Sequence, residues 1–438
     1  MKKKSILHIS PHLGGGVGTV LLNYLSKVKH YSCFEHRILC LDSINDNAKS
    51  ALEKEAIVYK QNVNNDTLLA NEIAMADIVV IHWWNHPLLY ELLVKKEFPA
   101  SRVIIWSHIS GFSAPSIFVS PLFDYADKFV FTTPLSYESE VVKGLSDNNL
   151  SKLSSIWSTG GLERFRDVEP LPHKGFIVGY IGTVDYAKMH RSFLDMSASI
   201  DIEDIHFVVC GGECEKEIVV EAIEKKWADR FNFTGKVPNV GEYLSTFDVF
   251  GYPLNPQHYG TCDQTLAEAM ACGVVPVVFD NGMESYMVKD GTTGLVVKNG
   301  VEYKDAIEKL HKDPQLRIRL SRNAQKEAFQ RFSLESMSSQ WESLFNQCME
   351  LPKSVKKWSG KSSGLNVTPI EIFYESLGDL GEVIEQCIAS QDKDALDTLT
   401  TILRSSDGWN TPTKGSPQHY LTFFEEDATL QQLVPLCQ

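Results

Sequence analysis

Residues 259–278 read Tyr259-Gly260-Thr261-Cys262-Asp263-Gln264-Thr265-Leu266-Ala267-Glu268-Ala269-Met270-Ala271-Cys272-Gly273-Val274-Val275-Pro276-Val277-Val278, and they constrain the architecture more tightly than any other part of the chain. A loop of small and polar residues leads into an alanine-rich helix, Gly273 stops that helix, and the valine run after it reads as a buried strand. A helix feeding a short buried strand belongs to a parallel α/β layer. Such a layer puts the loop amides and Glu268 near a crevice at the ends of the strands.

The same alternation extends in both directions. Before the block, residues 175–181, 206–210, 231–233 and 249–252 are short apolar runs between polar or turn residues, and 294–296 follows it. A polar connector at 163–174, with Pro170 and Pro172, separates this half from an earlier one. There the strand candidates are 5–10, 36–41, 78–81, 103–107 and 128–132, with helical periodicity at 19–28 and 87–95. The fold class is α/β: two Rossmann-like doubly wound domains facing a central cleft, which is the default ligand site. Residues 303–349 turn helical, with Trp341, Leu344 and Phe345 spaced for one buried face. The stretch 353–364 is basic and rich in Ser and Gly, as a linker would be. A small, mainly helical appendage follows. The expected divisions are 1–168, 169–350 and 351–438.

Composition removes several classes of function. A chain of 438 residues has room for two to three domains, and 43% hydrophobic with 22% charged residues is globular. With 42 Lys and Arg against 56 Asp and Glu, the net charge of -14 argues against a nucleic-acid partner and against electrostatic docking on anionic lipid. Nine cysteines without a framework spacing read as reduced thiols. Cys210 and Cys214 are close, but no second pair accompanies them, so no metal is expected. Met1-Lys2-Lys3-Lys4 is followed by no apolar core of signal-peptide length, and no run approaches a membrane span. The expected location is cytoplasmic, with peripheral attachment at the inner membrane face left open.

Two motifs in the first half carry chemistry. Gly14-Gly15-Gly16-Val17-Gly18 joins a strand to a helix, and its glycines let backbone approach a ligand while the helix start offers N–H groups to an anion; Gly15 and Gly16 are the candidates here, against the alternative of a tight strand-helix turn. The spacing is not the dinucleotide fingerprint, and no lysine follows as a phosphate loop requires. His82-Trp83-Trp84 also follows a strand. Aromatic faces suit sugar rings and polar tips suit hydroxyls, so these three residues are acceptor-side candidates, against the alternative of an interior Trp pair.

Glu268-Ala269-Met270-Ala271-Cys272-Gly273-Val274-Val275-Pro276-Val277-Val278 resembles the strongest marker of the GT-B glycosyltransferases, specifically the large retaining family four group. The resemblance extends over about the first 350 residues. It implies that Glu268 binds the ribose hydroxyls of a nucleotide, which a carboxylate does by accepting from a vicinal diol. It implies a second glutamate eight positions earlier to hold the transferred sugar, where this chain has Gly260. That task would pass to Asp263, to His258 or to backbone amides, with Tyr259, Thr261, Cys262 and Gln264 completing the donor loop. The segment 179–188 resembles the first strand and loop of the nucleotide half. Thr183 stands where the family has arginine, and Lys188 keeps the lysine that neutralises departing diphosphate. Glu284 is either a site residue or part of a surface turn. Trp106-Ser107-His108 resembles the place where the family carries a histidine reaching the donor sugar.

The resemblance implies transfer of a sugar from a UDP- or GDP-type nucleotide diphosphate sugar to a hydroxyl acceptor, with retention, and no cofactor. His108 and Lys188 are the expected catalytic residues. Bacterial surface polysaccharide or glycoconjugate assembly is the expected setting, and the acceptor is a glycan, lipid-linked or protein hydroxyl. The rival reading is a noncatalytic subunit that contacts a protein partner through 351–438.

Overall fold

The computed structural model describes all residues except 1, 2, 187, 213, 214, 257, 259, 391 and 438, and all side chains of the remainder except those of 215, 216 and 407. The chain forms two compact units, residues 1–156 with 338–438, and residues 157–337.

The first ten strands fall in the first unit: β1 (Lys4–Ser10), β2 (Phe34–Cys40), β3 (Val58–Lys60), β4 (Ile78–Trp83), β5 (Phe98–Ser101), β6 (Val103–Ser107), β7 (Phe112–Ser113), β8 (Ser116–Ile117), β9 (Lys128–Phe131) and β10 (Leu153–Ser155). Seven of them make a parallel sheet in the order β10-β9-β6-β4-β1-β2-β3. Every residue of β4 and β6 is buried, as expected of strands covered on both faces. The strand order reverses between β1 and β4, so the loops after these two strands border a crevice at the carboxyl edge.

The second unit carries β11 (Phe176–Ile181), β12 (Ile205–Cys210), β13 (Phe231–Gly235), β14 (Val249–Tyr252), β15 (Val275–Phe279) and β16 (Leu295–Val297). They pair in parallel in the order β13-β12-β11-β14-β15-β16, reversing between β11 and β14. The apolar runs read from sequence lie on these strands within a residue or two. The short edge strands β3 and β10 escape such a reading because none of their residues is buried.

Two expectations about organisation are corrected. The helix Leu334–Met349 turns its apolar face to the first sheet: Trp341 packs tilted on Trp106 at 4.5 Å and Phe345 edge-on to Phe34 at 5.3 Å, which draws the unit boundaries to 156 and 337. The expected linker is a packed strap. Its strand β17 (Ser354–Lys356) pairs antiparallel with β5, and the Lys356 ammonium meets Asp127 at 2.7 Å. Trp358, buried against Tyr90, donates from its indole to Glu375 at 2.8 Å. The helices that follow, beginning with Pro369–Glu375, bury Ile372, Phe373, Leu399, Trp409 and Tyr420 in the same core as Trp83, Tyr90 and Phe98. The helical tail is a covering layer of the first unit.

Candidate active site

In the second unit the loops after β11 and β14, flanking the reversal of strand order, bring the chemistry together. Gly179 lies in β11 because a Cβ there would fall 2.0 Å from the Phe247 ring. Tyr180 stacks on Tyr252 at 5.2 Å and donates from its phenol to the Thr183 carbonyl at 2.8 Å, which shapes the turn. The Lys188 amide donates to Asp185, and its ammonium pairs with Asp263 at 3.0 Å over the Tyr252 ring. Both side chains of that pair are about nine-tenths buried. Asp263 is the N-cap of the helix Gln264–Ala271, yet its carboxylate caps no backbone amide; its charge is spent on Lys188.

Glu268, inside that helix and 5% exposed, accepts a 2.6 Å hydrogen bond from the Arg164 guanidinium. Burial pushes its carboxyl above the ordinary range, and Arg164 opposes the rise. Arg164 belongs to a short turn, Glu163–Phe165, in the polar connector, and nothing in the sequence around it marks it as a site residue. Cys262 donates to the Ser158 carbonyl at 3.1 Å, and burial pushes its thiol up to about 12, so it serves as a neutral donor. Thr261 and Gln264 are half-buried beside it, and Tyr259 lies outside the described residues.

The structure gives a reason for Gly260. Its amide donates to His258 Nδ1 at 3.0 Å, and a Cβ would stand 2.9 Å from that nitrogen and 3.0 Å from Cε1. A glutamate at 260 has no room. The same hydrogen bond fixes the proton of His258 on Nε2, which faces the Glu284 carboxylate at 2.9 Å, a close contact too misaligned to count as a hydrogen bond. Glu284 is fully buried beneath His258, which excludes the surface turn. Cys210 is buried at the end of β12, and Cys214 lies outside the described residues.

In the first unit, the helix Gly15–Val28 begins without a side-chain cap and without an acidic residue in its first turn. Gly15, at φ 58°, and Gly16 are exposed there. His108 follows β6, donates from its backbone to the Trp83 carbonyl at 2.7 Å, and lies parallel to the His82 ring, with 3.0 Å between its Nε2 and His82 Nδ1. Burial lowers its pKa to about 3, which keeps the ring neutral. The acceptor-side trio divides. Trp83 is a core residue, edge-on to Tyr90 at 4.7 Å, and His82 is fully buried, because alternate positions of a strand covered on both faces both point inward. Trp84, beyond the strand end, is half-buried against His12 at 5.3 Å and alone of the three retains a surface. Among the described residues no helix is long and apolar enough to cross a membrane.

Residues 162–327 match the family model for glycosyl transferases group 1. Over 137 residues the chain is 28% identical to N-acetyl-alpha-D-glucosaminyl L-malate synthase of Bacillus anthracis, a match covering 29% of this chain and 33% of that protein. Over 177 residues it is 25% identical to alpha-D-kanosaminyltransferase of Streptomyces kanamyceticus, covering 39% and 45%. The chain thus spans a third to a little under half of the length of these relatives. Among solved structures, HepE of Anabaena in complex with UDP is similar with a TM-score of 0.63 at 14% identity, over 78% of this chain and 100% of that one. A glycosyltransferase of Rickettsia africae is similar with a TM-score of 0.65 at 14% identity, over 80% and 100%. The architecture is the GT-B fold, and the match to the glycosyl transferases group 1 model is confined to residues 162–327 of the second unit.

Proposed function

We propose that the protein is a glycosyltransferase that moves a sugar from a nucleotide diphosphate sugar to a hydroxyl acceptor with retention at the anomeric carbon. The carrying observation is a buried carboxylate, Glu268, held by Arg164, and a buried ammonium, Lys188, held by Asp263, on loops and a helix that follow β11 and β14 of the second sheet. A carboxylate there takes the ribose diol, and the ammonium takes diphosphate charge as the sugar–phosphate bond breaks. The acceptor oxygen forms the new bond to the anomeric carbon, and its proton leaves with the diphosphate. His108, neutral because of its burial, donates a hydrogen bond to the donor sugar. UDP is the first base to try, since UDP and UDP-glucose are bound by HepE.

A thermal-shift panel of UDP, GDP, ADP and their sugars, followed by product analysis, tests this reading. A bound nucleotide raises the apparent stability of the folded chain, and Glu268→Ala abolishes the shift. No shift with any nucleotide, or a shift and turnover that Glu268→Ala leaves intact, would sink the assignment.

A further inference from the structure

Four histidines of the first unit form one continuous hydrogen-bonded ladder. His36 Nδ1 meets His8 Nε2 at 2.9 Å, His8 Nδ1 meets His82 Nε2 at 3.0 Å, and His82 Nδ1 meets His108 Nε2 at 3.0 Å. The sheet register builds it. Ile6 lies level with His36, and His8 is two residues further; Val80 lies level with His8, and His82 is two further; Trp106 lies level with His82, and His108 is two further. A step of two keeps the side chain on one face, so the ladder climbs diagonally across β2, β1 and β4 to the loop after β6, at the carboxyl edge. His8 and His82 are fully buried, and burial holds all four rings below the ordinary imidazole range.

Four neutral rings joined in this way share one proton per contact, so their tautomers cannot be chosen separately. Either every ring carries its proton on Nδ1, or every ring carries it on Nε2. Going from the first pattern to the second moves a proton across each contact, removes one from His108 Nδ1 and adds one at His36 Nε2. That last atom is buried, has no hydrogen-bond partner, and belongs to a ring packed against Tyr24 and Phe345. A bare acceptor without a partner is cheaper there than an orphaned N–H.

We propose that the ladder is a tautomer lock in which His36, His8 and His82 act as positioning residues that hold His108 as an Nδ1–H donor at the carboxyl edge. Its role in catalysis rests on the reading of His108 as the group that donates to the transferred sugar. The lock itself does not.

Two-bond 15N–1H correlation spectra of the full 15N-labelled chain, recorded without nucleotide, read each tautomer directly. The expected result is Nδ1–H at all four rings. His36→Gln keeps a donor at the foot of the ladder and preserves the pattern. His36→Glu places an acceptor there, beside the charge of Lys3, so His8 must donate from Nε2 and the remaining rings reverse, leaving His108 Nδ1 bare. Sugar transfer then falls about tenfold in kcat, the effect of one lost hydrogen bond, with nucleotide affinity unchanged, while His36→Gln stays near wild type. An Nε2–H ring anywhere in the wild type, which needs no variant to fold, overturns the lock, as does a His108 that stays Nδ1–H while His8 reverses. Unchanged turnover with a reversed His108 overturns its catalytic role. Failure of nucleotide binding in the Glu268 experiment would overturn the transferase reading alone and leave the tautomer result standing.

Discussion

Lys188 and Asp263 neutralise each other while nine-tenths buried, so removing the lysine alone does two things at once. It takes the cation from the proposed diphosphate site, and it strands a buried carboxylate whose Oδ2 already lacks a partner. Lys188→Met is expected to cost about 3 kcal/mol of stability in chemical denaturation, and Lys188→Met with Asp263→Asn to regain most of it while transfer stays lost. Equal stability losses in both variants would show that the pair contributes nothing to folding. Arg164 sets the pH range of Glu268. Burial raises this carboxyl and Arg164 holds it down, so Arg164→Ala raises it further. A protonated carboxyl gives up part of its acceptor capacity for a vicinal diol, and nucleotide affinity in Arg164→Ala therefore falls away at a higher pH than in wild type as the solution is acidified. Titration calorimetry across pH checks the direction, and coincident profiles would remove Arg164 from the account. Gly260→Glu restores the residue pattern that the resemblance leads one to expect, yet it drives a Cβ into His258. It should lower stability by about 1–3 kcal/mol, with Gly260→Ala close behind, and bring no gain in transfer. Increased turnover in Gly260→Glu would show that the loop adapts.

At the scale of elements, the strap through β17 and Trp358 is the join on which the helical tail depends. Trp358 is 3% exposed, packs on Tyr90 and satisfies its indole N–H through Glu375. Trp358→Ala removes a large buried ring and one of the two hydrogen bonds to Glu375, so a loss of about 3–5 kcal/mol in denaturant unfolding is expected, and a loss below 1 kcal/mol would show the tail to be loosely attached. The strap was illegible in sequence for a physical reason. Two of the three residues of β17 face solvent, its buried one is a lysine, and a Ser- and Gly-rich stretch carries no periodicity to read. The central strands were legible because β4 and β6 are buried along their whole length, and the residues of the proposed donor site because Lys188, Asp263 and Glu268 sit in motifs of fixed local spacing. Arg164 reaches Glu268 from 104 residues away, and the ladder histidines at 8, 36, 82 and 108 share no spacing at all. Only the register of the sheet aligns them.

At the scale of the whole molecule, the division into 1–156 with 338–438 and 157–337 means that the chain leaves its first unit and returns to it. The helical tail therefore cannot behave as a detachable partner module. Ending the chain at residue 350 would uncover Tyr90, Phe98 and their neighbours, which share a core with Ile372, Trp409 and Tyr420. The second unit would lose nothing of its own sheet or of the Lys188, Arg164 and Glu268 arrangement. Calorimetry of the intact chain should accordingly resolve a transition of the 157–337 unit that rises by roughly 5–10 °C at a nucleotide concentration one hundred times its dissociation constant, where binding adds about 2.7 kcal/mol. The 350-residue truncation should keep that ligand-sensitive transition, lose the cooperative transition of the first unit, and aggregate through the exposed apolar surface. A soluble truncation with both transitions intact would show that the tail is separable, and would restore it as a candidate surface for a protein partner.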